Sequence, residues 1–152
     1  MGSFSQLEPN GIYPVFGANG YIGRYNKKNH DTDQVCVSCR GAKCGTVNYV
    51  IGQVWITGNS MVCNIDDTEG LLKKYFYYVM SSMDYSGVVT GGAQPQITRE
   101  NLQRLNVFIP CLEEQRLIAD FISAFDEAIA AAKKELELWK KLKKGLLQQM
   151  FV

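Results

Sequence analysis

Up to Pro110 the chain consists of short apolar runs punctuated by glycine; beyond it, residues 112–151 hold one glycine, Gly145, and no proline. Residues 35–39, 46–51, 53–56 and 61–65 are rich in Val, Ile, Tyr and Trp, with glycines 41, 45, 52 and 58 between them. These runs predict strands of a small, mainly antiparallel sheet. In 71–83 the apolar residues Leu71, Leu72, Tyr75, Tyr78, Val79 and Met83 recur at spacings of three and four. This predicts a helix opened by the capping and acidic residues 66–69, with Lys73 and Lys74 facing away. Residues 86–96 read as a glycine-rich loop, Thr98 as the cap of a short helix reaching Arg104, and 105–109 as a final strand. Helices and strands mix without a βαβ repeat, so the expected class is α+β.

The last forty residues follow a different period. Ile118, Ile122, Phe125, Ile129, Ala132, Leu136 and Trp139 step by four and three, and the seam resumes at Leu142, Leu146 and Met150. Such an a/d pattern predicts one helix of about 60 Å, longer than a domain of this size can cover. Residues 112–127 hold five acids and Arg116, net −4; residues 128–152 hold six lysines and two acids, net +4. Each end complements the helix dipole. Two such helices laid antiparallel attract, and laid parallel they repel, so the expected arrangement is an antiparallel coiled coil. The plainer alternative is an amphipathic helix packed on its own domain. The expected division is a domain over 1–110 and a long helix over 111–152.

At 152 residues, 46% hydrophobic and 20% charged, the chain has an ordinary globular composition. Five cysteines, no secretory pattern and no stretch approaching a membrane span point to reduced thiols in the cytoplasm. Catalytic patterns are missing. His30 is the lone histidine, and nothing around it suggests a triad. Gly17, Gly20 and Gly23 do not match the dinucleotide fingerprint, and no phosphate-loop or zinc-protease motif occurs. Cys36 and Cys39, with Cys44 and His30 nearby, raise the question of zinc. Residues three apart on a strand point to opposite faces, so neither a metal nor a cofactor is expected.

A basic segment remains. Between Gly17 and Val50, five bases (Arg24, Lys27, Lys28, Arg40, Lys43) outnumber two acids, with Asn19, Asn26 and tyrosines interleaved. Such side chains neutralise phosphates and read base edges. Gln94, Gln96, Arg99 and Asn101 offer the same chemistry. An ordinary solvated surface has a similar composition.

An ordered series of motifs decides between these readings. It runs Gly11-x-Tyr13-Pro14-Val15-Phe16-Gly17-Ala18-Asn19-Gly20-Tyr21-Ile22-Gly23, Arg40-Gly41-x-x-x-Gly45-x-Val47, Trp55-Ile56, Lys74-Tyr75-Phe76-Tyr77-Tyr78 and Gly92-x-Gln94-Pro95-x-Ile97. It closes with Ile109-Pro110-x-Leu112-x-Glu114-Gln115-x-x-Ile118-Ala119 and Lys144-Gly145-Leu146-Leu147-Gln148-x-Met150-Phe151. The series resembles the specificity (S) subunits of Type I restriction–modification systems. The resemblance implies a non-catalytic subunit whose recognition domains each read half of a split site in double-stranded DNA. It also implies spacer helices that pair antiparallel and dock the methyltransferase (M) subunits and, through them, the restriction (R) subunit. A full member has two recognition domains and two spacer helices. This chain shows one of each and starts close to its first motif, so a half-subunit that homodimerises through its helix is expected. The alternative is a truncated or orphan fragment acting as a protein-interaction module. On this reading the DNA contacts are Asn19, Arg24, Asn26, Lys27, Lys28, Arg40 and Lys43. The seam is Ile118, Ile122, Phe125, Ile129, Leu136, Trp139 and Leu146. Glycines 17, 20, 23, 41 and 45 are expected to shape turns, and Gln94 with Pro95 to brace a loop.

Overall fold

The structure, a computed structural model, describes residues 6–151. Its elements are β1 (Tyr13–Phe16), β2 (Tyr21–Tyr25), β3 (Gln34–Ser38), β4 (Val47–Val50), β5 (Trp55–Ile56), β6 (Ser60–Val62), α1 (Lys73–Ser82), α2 (Arg99–Leu102) and α3 (Leu112–Met150). The class is α+β. The strands form two three-stranded sheets rather than one: β2-β1-β5, with β1 and β5 parallel, and the antiparallel β4-β3-β6. The hairpin β1–β2 does not stand out in the hydrophobic pattern, because Pro14, Gly23 and Arg24 dilute its apolar alternation.

β3 explains the layering. All five of its residues are buried. Val35 and Val37 pack with Phe76, Met80, Tyr85, Val88 and Ile97. Cys36, one step out of phase, packs with Phe16, Val50, Val54 and Ile56. Successive strand side chains point to opposite faces, so β3 joins one core to α1 and another to the first sheet. A strand covered on both faces reads as a continuous apolar run.

Two expectations are corrected. Residues 105–109 form no strand, although Leu105 and Val107 are half-buried while Asn106 and Phe108 are exposed. That alternation reports one covered side of an extended segment that has no ladder partner. The segment is held instead by the Tyr75 hydroxyl, which donates to the Phe108 carbonyl at 2.9 Å. Nor does Lys73 face away. It pairs with Asp66 and donates to the Asp33 carbonyl at 2.7 Å and to the Thr32 hydroxyl at 2.9 Å.

α1 takes its N-terminal partner from α3 rather than from residues 66–69. The fully buried Gln115 accepts from the Leu72 amide at 2.9 Å and donates to the Gly70 and Pro110 carbonyls at 2.7 and 2.9 Å. Further along, the Tyr78 hydroxyl donates to Asp126 at 2.7 Å, so α1 and α3 run side by side in the same direction. α3 spans 39 residues, about 58 Å at 1.5 Å per residue. Residues 127–144 are exposed at every position, so the helix projects as a rod beyond its contacts with α1. No helix among the described residues is long and apolar enough to cross a membrane.

Candidate nucleic-acid interface

The expected contact residues fall into two groups at opposite ends of the β1–β2 hairpin. Asn19 lies in its turn, where the Gly17 amide donates to the Gly20 carbonyl at 2.8 Å. That turn is tied to the second sheet. The Ser60 hydroxyl donates to the Gly17 and Ala18 carbonyls at 2.8 and 3.0 Å, and Ser38 also donates to Ala18. Just past Ser38 come Arg40 and the turn carrying Lys43, closed by the Gly45 amide on the Ser38 carbonyl at 2.8 Å. The Gly41 amide donates to the Pro95 carbonyl at 3.0 Å, which brings loop 91–96 alongside Arg40. One end of the domain therefore collects Asn19, Arg40, Lys43, Gln94 and Gln96.

Two glycines at this end have a structural role. Gly41 and Gly45 have φ of +80° and +87°, a left-handed backbone that side chains disfavour. Pro95 does brace its loop through the Gly41 bond, and the Thr90 and Gln96 backbones pair through two 2.7 Å bonds. Asn59, which sequence reasoning passed over, joins the same end. Its carbonyl accepts from the Cys39 amide at 3.1 Å, and its side chain is exposed. The Gly58-Asn59 pair between two apolar runs was the available signal for a turn.

The second group lies at the far end of the hairpin and is largely engaged with its own domain. The Arg24 guanidinium donates to the Gly11 carbonyl at 2.6 Å and to the Ile12 carbonyl, bracing the entry to β1. Asn26 donates to Glu8. Lys28 pairs with Asp31 and sits 5.3 Å above the Tyr13 ring. Lys27 is exposed. Among the described residues the ion pairs are Lys28–Asp31, Lys73–Asp66 and Lys140–Glu137, and none involves Lys27, Arg40 or Lys43.

Other chemistry is sparse. An open groove of about 610 Å³ runs between β6, α1, α2 and residues 105–107, lined mostly by apolar side chains such as Met61, Phe76, Met80 and Leu102. His30 lines it too, and burial lowers the pKa of its imidazole. Burial pushes the Cys36 thiol up to about 12 and the Cys63 thiol up to about 11, which keeps both protonated and inert. No group of three or more His, Cys, Asp or Glu that could hold a metal occurs among the described residues.

The rod carries a second candidate surface. Gln115 and Ala119 face the domain and are buried. The seam residues Ile118, Phe125, Ile129, Leu136, Trp139 and Leu146 are 40–60% exposed, with Ile122 half-buried at the margin. At 100° per residue this stripe is centred about a quarter of a turn from the domain-facing side. The domain therefore does not cover it.

The described residues thus place exposed basic and amide side chains at one end of the domain and an exposed apolar stripe along the rod. Comparison with known proteins gives this arrangement a family. Residues 2–138 match the Type I restriction modification DNA specificity domain, and the chain belongs to that family. It is 31% identical over 115 residues to the Type I restriction enzyme EcoprrI specificity subunit of Escherichia coli, an overlap of 76% of this chain and 28% of that one. It is 29% identical over 111 residues to the MjaIX specificity subunit of Methanocaldococcus jannaschii, covering 70% of this chain and 26% of the relative. The fold resembles the crystal structure of the S subunit of a Type I restriction–modification system from M. genitalium. The TM-score is 0.66 at 24% identity, over 84% of this chain and 35% of that one. The chain thus spans about a quarter to a third of the length of these relatives.

Proposed function

We propose that this chain acts, without catalysis of its own, as a DNA specificity subunit of a Type I restriction–modification enzyme in the cytoplasm. It reads half of a bipartite site in double-stranded DNA and docks the methyltransferase subunits, and through them the restriction subunit. The observation that carries this reading is the match of residues 2–138 to the DNA specificity domain. The loop end supports it: Arg40 and Lys43 are exposed beside the amides Asn19, Asn59, Gln94 and Gln96. Charged groups there position phosphates, and amides read base edges. Arg24, Asn26 and Lys28 serve the domain's own framework first, which leaves Lys27 as the outlying phosphate contact of that group.

The rod supports a second half of the proposal, homodimerisation through an antiparallel coiled coil. Residues 1–110 then form the recognition domain and 111–152 the spacer, dimerisation and docking helix. The exposed seam needs a partner, and an antiparallel mate sets the −4 segment of one helix beside the +4 segment of the other.

Replacing Arg40 and Lys43 together with alanine is expected to weaken DNA binding by the assembled complex and to flatten its salt dependence by about two counterions. Unchanged affinity and slope would place the DNA-facing surface elsewhere. A second reading is an orphan fragment that binds protein without productive DNA recognition; the exposed apolar seam of α3 is the observation on its side. Electrophoretic shifts with and without the methyltransferase subunits separate the two: sequence-dependent retardation in the complex supports the first, and none supports the second.

A further inference from the structure

Two turns at the loop end are fastened into one shelf. Turn 57–60 closes through the Ser60 amide on the Thr57 carbonyl at 3.1 Å, and turn 17–20 through Gly17 on Gly20 at 2.8 Å. The Ser60 hydroxyl and the Thr57 amide, which donates to the Phe16 carbonyl at 2.9 Å, lock them together. Each turn holds an asparagine next to a glycine, Asn19-Gly20 and Gly58-Asn59, and both asparagines are exposed.

Nothing among the described residues demands these glycines. Gly20 and Gly58 lack positive φ, and a Cβ added at either would meet no atom within 4 Å. Gly20 closes its turn with its carbonyl, but in a conformation that other residues can adopt. Alanine at such positions normally stabilises a protein by restricting the unfolded chain. Gly92, in the adjoining loop 91–96, has the same open surroundings. Bare backbone at these positions leaves the shared polar end open to close approach from outside. The Thr57 hydroxyl, buried in the same turn, also lacks a hydrogen-bond partner among the described residues.

We propose that turns 17–20 and 57–60 form a glycine-cleared shelf that enters a groove of duplex DNA, with Asn59 beside Asn19 reading base edges and so setting the recognised sequence. An asparagine amide matches adenine, donating to N7 and accepting from the N6 amino group. The proposal rests on the DNA-specificity reading above and adds to it the residues that choose the sequence.

The test is selection of binding sites from a randomised duplex pool by the full chain with its methyltransferase subunits. It compares wild type, Asn59→Ala and Gly58→Ala, with a thermal unfolding midpoint for each. Asn59→Ala is expected to lose preference at one base pair and to bind the original site about 5- to 100-fold more weakly. Gly58→Ala is expected to unfold no earlier than wild type and to lose at least tenfold in affinity. The shelf is overturned if both variants select the wild-type sequence with affinity within twofold, or if Gly58→Ala unfolds early, since the glycine then serves the fold. In either case the DNA reading survives, because wild type still selects. If wild type selects no sequence, the DNA reading itself fails and the shelf with it.

Discussion

Gln115 shows how one side chain can fix the relation between recognition domain and rod. It bonds Leu72, Gly70 and Pro110 at once, and no apolar residue can replace those bonds. Gln115→Ala is expected to cost about 2–3 kcal/mol in chemical denaturation, the scale of leaving buried polar groups unpaired. A loss below about 0.5 kcal/mol would mean that water or neighbouring groups replace the amide. Asp66 is a second such point. Lys73 first, then Gln34 and Thr32, hold its carboxyl at about 2 against an ordinary 3.8. A depressed folded pKa stabilises the protein above the unfolded value, and that contribution is lost as pH falls through the folded one. The Asp66 part of stability is therefore complete above about pH 4 and fades toward pH 2. An NMR titration of Asp66 should give a midpoint near 2; a midpoint near 4 would show that the Lys73 cluster does not persist in solution. Neither role was readable beforehand. Gln115 appeared only as part of a motif, and Lys73 looked like an outward charge, because the partners of both are distant in sequence.

Elements differ in how openly the sequence declares them. α3 was legible in full, since a seam repeating over forty residues admits one period. α1 and the strands β3 to β6 were legible within a few residues, because their side chains carry the packing. β1 and β2 were missed as strands: their pairing is backbone hydrogen bonding across Pro14 and Gly23, and the motif around Asn19 was recognisable as a likeness without declaring its geometry. The unpaired segment 105–109 was misread for the converse reason, since alternation records burial rather than pairing. Composition picked out basic and amide side chains, but only the fold separates Asn19, Arg40 and Lys43 from Arg24 and Lys28, which are bound to their own domain. At the level of α3 the seam makes a direct prediction. Ile129→Asp puts a charge in the exposed apolar stripe and should shift the chain from dimer to monomer in sedimentation equilibrium, leaving the thermal transition of the β-sheet domain in place. A wild-type monomer at micromolar concentration would remove the coiled coil.

At the scale of the whole molecule, a reader at one end of a stiff rod becomes useful when a second reader is held at a set distance. Two copies related by a two-fold axis present the same reading surface twice, so the proposed dimer recognises an inverted repeat with a fixed gap. The curated relatives it resembles are a little under three times its length, and two-fold pairing presents two reading surfaces. The most direct measurement is base-resolution sequencing of methylated DNA from the host with the gene present and deleted. The account predicts a methylated, gapped, inverted-repeat sequence that disappears on deletion and returns when the gene is restored. Methylation patterns that are identical with and without the gene would contradict it.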